Sequence, residues 1–182
     1  MKNLPVLAGF YHFVIIRQNQ AKKTQITIPR LWQGGHRVPF LLHLLAEQHG
    51  IKIEYLKLES KIKAIYFEEP GMPPVIVVSK EITRNRILYR CVLAHELGHY
   101  FTLERSTNPV LYAHYNYWHQ IEHCREEYLA MAWAAKYLIP TEKLIQAFRD
   151  GFTSIRALAK RFAVVEKMME LRLMIFFEGD AS

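Results

Sequence analysis

The sequence predicts an α+β fold, a small sheet of about three strands joined to a set of helices. Three observations carry this expectation. Short apolar runs bounded by turn residues lie between Ile51 and Val78. From Ile82 to about Leu103, Leu88, Cys91, Val92, His95 and His99 recur at helical spacing. Beyond Ile121 the patterning stays helical almost to the end of the chain, broken at Pro140 and at Asp150-Gly151.

In chain order, residues 1–38 form a basic N-terminal segment with no clear assignment. Val14 to Ile16 and Gln25 to Ile28 read as short strands, and Trp32-Gln-Gly-Gly-His36 as a turn. Pro39 to His49 reads as a helix with an apolar stripe of Phe40, Leu41, Leu44 and Leu45, stopped by Gly50. Ile51 to Leu58 places Ile51, Ile53 and Tyr55 on one strand face, Ile62 to Phe67 is a second strand, and Val75 to Val78 is a third, fully apolar one. The long helix follows. Residues 105–120 read as an irregular, aromatic-rich stretch. Ile121 to Ile139 is a further helix, stopped by Pro140. The rest is helical in three pieces: from Thr141, from Ser154 to Arg161, and from Glu166 to Phe177. The chain therefore divides into 1–38, a central domain over 39–140 and a C-terminal helical region over 141–182.

Composition narrows the function classes. With 51% hydrophobic and 23% charged residues the chain is ordinary for a globular protein. Two cysteines, Cys91 and Cys124, are too few for a disulfide framework and fit a reducing, cytoplasmic setting. No apolar run is long enough to span a bilayer, so no membrane association is expected, and Leu4 to Ile16 lacks the features of a signal peptide. The net charge of +7 is uneven: Lys2, Arg17, Lys22, Lys23, Arg30 and Arg37 all precede the first acidic residue, Glu47. A basic arm of this kind suits a nucleic-acid or acidic partner, and a poorly packed extension is the somewhat stronger reading.

The informative motif is His95-Glu96-Leu97-Gly98-His99. Residues four apart on a helix lie on one face, so His95 and His99 can aim ring nitrogens at one zinc ion. Glu96 borders that face and is placed to act as general base on a water there. Chance supplies only about 0.04 such matches in a chain with nine His and fifteen Glu. A half-buried His pair beside a Glu also needs polar partners, and a metal supplies them. Catalytic zinc takes a third protein ligand and leaves a position open. Glu122, Glu126, Glu127, His114, His119 and His123 all qualify by position, and spacing alone does not choose among them.

Cys91 and Cys124, each near the motif or the downstream acidic residues, read as packed hydrophobes rather than redox groups or ligands. Ile155 to Leu173 has the outline of a helix-turn-helix. The second helix, however, opens with Val165, Glu166, Lys167, Met168 and Met169, which are poor readers of base edges, so packing or a protein partner is expected over DNA.

Four segments in order resemble the ImmA/IrrE metallopeptidase family: Val75 to Ser79, Cys91 to Tyr100, Glu126 to Pro140 and Leu158 to Leu173. The resemblance covers about residues 40–175. It implies a zincin-like fold, a minimal metallopeptidase with an HExxH helix and a second helix carrying the third ligand. Aligned from Trp133 and Pro140, that ligand falls on Glu127, with Glu126 as the fallback. The Asn or Asp that the family commonly carries four residues later falls on Met131, a departure. The resemblance also implies Zn2+ as cofactor, with a regulatory protein such as a helix-turn-helix repressor as substrate, in a bacterial mobile element or stress response. The expected set is therefore His95, His99 and Glu127 on the metal, with Glu96 as catalytic base. His114 and Tyr115, alongside Tyr112 and Tyr117, are candidate oxyanion donors from the intervening stretch. The competing expectation is a metal-containing regulator without proteolytic activity, acting through its C-terminal helices and basic N-terminus; an intact Glu96 favours the enzyme.

Overall fold

The computed structural model describes residues 37–104, 110–113 and 125–179. The first helix, α1 (Arg37–Gln48), leads through Gly50, whose φ of 68° suits glycine, into β1 (Lys52–Leu56). β2 (Ala64–Glu68) and β3 (Val75–Ser79) form a hairpin, with Gly71 at φ 82° in its turn. The sheet has the order β1-β3-β2-β4, where β4 is Val110–Ala113. β2 pairs antiparallel with both β3 and β4, whereas β1 runs parallel to β3. Every residue of β3 is buried, as are Ala64 to Phe67 of β2, while β1 on one edge is half-buried along its length. That difference explains the sequence patterns. Inner strands covered on both faces show continuous apolar runs, and an edge strand alternates.

The fourth strand corrects the expectation of about three. It lies in the stretch read as irregular, and its register against β2 sets Tyr112 opposite Tyr66. The other expected strands and helices appear, their ends moved by a few residues within the described residues; residues 121–124 of the helix expected from Ile121 lie outside them. Val14 to Ile16, Gln25 to Ile28 and the turn at 32–36 lie outside the described residues.

The long helix, expected from Ile82, opens as a single 3-10 turn (Ile82–Arg84) before α2 (Arg86–Thr102). Asn85 starts α2 properly: its side-chain oxygen accepts from the backbone N–H of Leu88 at 3.1 Å. Every residue from Tyr89 to His99 is buried, because α2 packs against β2 and β3 on one side and against α3 (Arg125–Leu138) on the other. A Tyr89–Tyr55–His43 cluster ties α2 to β1 and α1. The Tyr55 and Tyr89 hydroxyls lie 2.6 Å apart, and Tyr89 lies 2.7 Å from His43 Nε2.

Three further helices follow: α4 (Thr141–Arg149), α5 (Ile155–Phe162) and α6 (Glu166–Gly179). α6 packs on α3 and on α5. Two buried arginines fasten this region. Arg172 donates from Nε to Ile139 O at 2.8 Å and from Nη2 to Thr141 Oγ1 at 2.7 Å. Arg90 of α2 donates to the carbonyls of Phe162 and Ala163 at the end of α5, where a cation also complements the helix dipole. Met168 and Met169, at the start of α6, are buried against this core.

Candidate metal centre

The HExxH segment lies in the middle of α2, where the helical repeat stacks His95 one turn below His99. Their Nε2 atoms are 3.0 Å apart. From α3, the Glu127 carboxylate approaches both, at 3.3 Å from His95 Nε2 and 3.6 Å from His99 Nε2. All three residues are buried, and together they form a group able to hold a metal ion. The spacing suits one. Ligands at zinc bond lengths of about 2.0–2.1 Å in tetrahedral array stand about 3.3 Å from each other. Glu96 is also fully buried, next in the chain to His95 and outside the three-ligand group.

Several features bring these groups together. Gly98 faces α3 so closely that the two backbones nearly touch at Ala130. α3 begins at Arg125, which puts Glu127 in its first turn, where a carboxylate is favoured by the helix dipole. Glu126, one residue earlier, is half-buried and not part of the convergent group. Met131, one turn after Glu127, is wholly buried.

The sheet supplies the floor. Tyr112 of β4 stacks on His99 with ring centroids 4.7 Å apart and planes 17° from parallel. Tyr66 of β2 lies 6.0 Å from the same ring at 28°. The hydroxyl of Tyr66 donates to Glu68 Oε2 at 2.6 Å. The sequence marks Tyr112 only as a donor candidate and Tyr66 not at all, since inside a uniformly apolar strand nothing local distinguishes it. His114 and Tyr115, and likewise Tyr117, His119, Glu122, His123 and Cys124, lie outside the described residues.

Cys91 is fully buried, and burial pushes its thiol up to about 11. Its sulfur accepts from Val165 N at 3.4 Å, which marks it as packing between α2 and the start of α6. An open cleft of about 380 Å³ is lined by Arg90, Leu138, Lys143, Gln146, Arg161 and Phe162. It contains none of the three convergent residues.

With this geometry in view, residues 46–174 match the model of a peptidase family described as the IrrE N-terminal-like domain. The chain belongs to this family. The matched span includes α2, β4, α3 and the three C-terminal helices up to Met174, so the family pattern covers both helices that contribute to the His–His–Glu group. Membership makes this a metallopeptidase-type chain with the α+β architecture expected from its sequence. Among curated proteins, none matches it. No helix among the described residues is long and apolar enough to cross a membrane.

Proposed function

We propose that the chain is a zinc-dependent endopeptidase of narrow specificity. In this reading His95, His99 and Glu127 hold the metal and Glu96 is the general base. The observation that carries it is the convergence of two ring nitrogens and one carboxylate from α2 and α3 within 3.0–3.6 Å of each other, with a second buried carboxylate, Glu96, beside them. A zinc ion there supplies Lewis acidity and lowers the pKa of a water toward about 7.

The chain's own part is proton transfer. Glu96 takes a proton from the attacking water as its oxygen bonds to the scissile carbonyl carbon. It then delivers that proton to the amide nitrogen as the C–N bond breaks. Burial of Glu96 supports this role, since water exclusion strengthens the transfer. Residues 39–140 carry all four groups, and α6 packs against α3.

Resemblance to the ImmA/IrrE family supports a regulatory protein as substrate, specifically a helix-turn-helix repressor acted on in the cytoplasm. A Glu96→Gln variant tests the reading. Both it and the wild type are expected to carry about one equivalent of zinc, and only the wild type to cleave a repressor encoded beside it. Equal cleavage by the two proteins refutes the enzyme reading.

A further inference from the structure

We infer that Tyr112 and Tyr66 are positioning residues for the metal, an aromatic shelf that fixes the plane of the His99 ring and, through it, that of His95. The inference rests on the metal-site reading above and adds residues from the sheet to it.

The shelf is built by strand pairing. Tyr66 and Tyr112 are directly opposed across the antiparallel β2–β4 pair, and opposed residues project from the same sheet face. Both rings lie close to parallel with His99, at 17° for Tyr112 and 28° for Tyr66. Tyr66 is fully buried, and its hydroxyl is held by Glu68, so its ring has little freedom to turn. His95 meets His99 edge-on, with centroids 4.7 Å apart and planes at 88°. A rotation of His99 about its Cβ–Cγ bond therefore breaks the stack on Tyr112 and drives its edge against His95.

Ligand histidines are useful only when their ring plane points the nitrogen lone pair at the ion, and neighbours ordinarily set that plane. Here two stacked phenol rings do so from the sheet side, with Glu127 approaching from α3. The contribution comes from ring faces, so a phenylalanine should substitute for Tyr112, and an aliphatic residue of similar bulk should not.

The experiment compares Tyr112→Phe and Tyr112→Leu in the full chain. Zinc affinity is read by chelator competition, ligand geometry by the visible spectrum of the cobalt-substituted protein, and folding by the urea midpoint of each metal-free protein. Tyr112→Phe is expected to stay within about twofold of wild type in zinc affinity, with an unchanged cobalt spectrum. Tyr112→Leu is expected to bind zinc about tenfold or more weakly, with a shifted cobalt spectrum and a urea midpoint near that of wild type. Wild-type zinc affinity in Tyr112→Leu overturns the shelf while leaving the metal site intact. A Tyr112→Phe protein as weak as Tyr112→Leu overturns it as well, and moves the role to the hydroxyl. Failure of the wild type itself to take up zinc removes the underlying metal reading, a result separate from either of these.

Discussion

A Cβ at Gly98 would stand 2.2 Å from the carbonyl oxygen of Ala130 and within 2.9 Å of that residue's Cα. These are backbone atoms of the neighbouring helix, so a side-chain rotation cannot make room. In an unobstructed helix, Gly→Ala stabilises by about 1 kcal/mol. At Gly98 the sign should reverse. Gly98→Ala is expected to cost about 1–3 kcal/mol through overpacking, and pushing α3 away also withdraws Glu127 from both histidines. Urea unfolding and zinc competition check the two effects, and a raised midpoint with unchanged zinc binding would refute the close-approach account. The HExxH spacing made the convergence of His95 and His99 readable from the chain alone, because the helix repeat converts sequence distance into a shared face. Glu127 was not readable in that way. Which carboxylate of α3 faces α2 depends on how the two helices cross, and only the family pattern pointed to it. Met131 stands one turn after Glu127, where the family commonly carries Asn or Asp, and its complete burial makes it part of the α3 packing face.

At the scale of elements, α5 ends on Ala163 in the left-handed conformation, at φ 50° and ψ 52°. That conformation costs an L-residue about 1–2 kcal/mol, and glycine avoids it while giving back about 0.4–1 kcal/mol in unfolded-state entropy. Ala163→Gly should therefore stabilise the protein by about 0.5–1 kcal/mol, read as a higher urea midpoint. The carbonyls that Arg90 binds are backbone groups and survive the change. A lower midpoint would mean that the methyl group's packing outweighs the backbone strain. The helices were the most readable elements, since Gly50, Pro140 and Ser154 punctuate them in the sequence, although the sequence pattern puts the start at Ile82, three residues before the Asn85 cap. β4 was not. Val110-Leu-Tyr-Ala has no alternation, and its strand character comes from pairing with β2, a partner more than forty residues earlier in the chain.

Across the whole molecule, His43 links acidity to folding. It is 7% exposed and joins α1 to Tyr55 of β1 and Tyr89 of α2. Burial lowers its pKa from 6.5 to about 4. The unfolded chain therefore takes up a proton near pH 6.5 that the folded protein resists until about pH 4. The stability this neutral ring contributes is fully present above pH 6.5 and is lost as pH falls through that window, a loss of at most about 3 kcal/mol. His43→Gln keeps a hydrogen-bond acceptor and removes the titration. Stability profiles of the two metal-free proteins should diverge between pH 6.5 and 4, with the variant the flatter. Parallel profiles would show that His43 does not resist protonation in the fold.

The convergent His–His–Glu group draws on two helices, and His99 precedes Glu127 by 28 positions in the chain. On the ribosome, α2 therefore emerges with both of its histidines well before the carboxylate that completes the set. At about 5–20 residues per second, the interval is on the order of 1–6 s. During it the nascent chain holds the two histidines of the group without the carboxylate, because α3 has not yet closed over Gly98. In the proposed reading, synthesis thus leaves the metal group incomplete until the second helix has been made and docked, so a chain released early would carry the HExxH motif without its third partner.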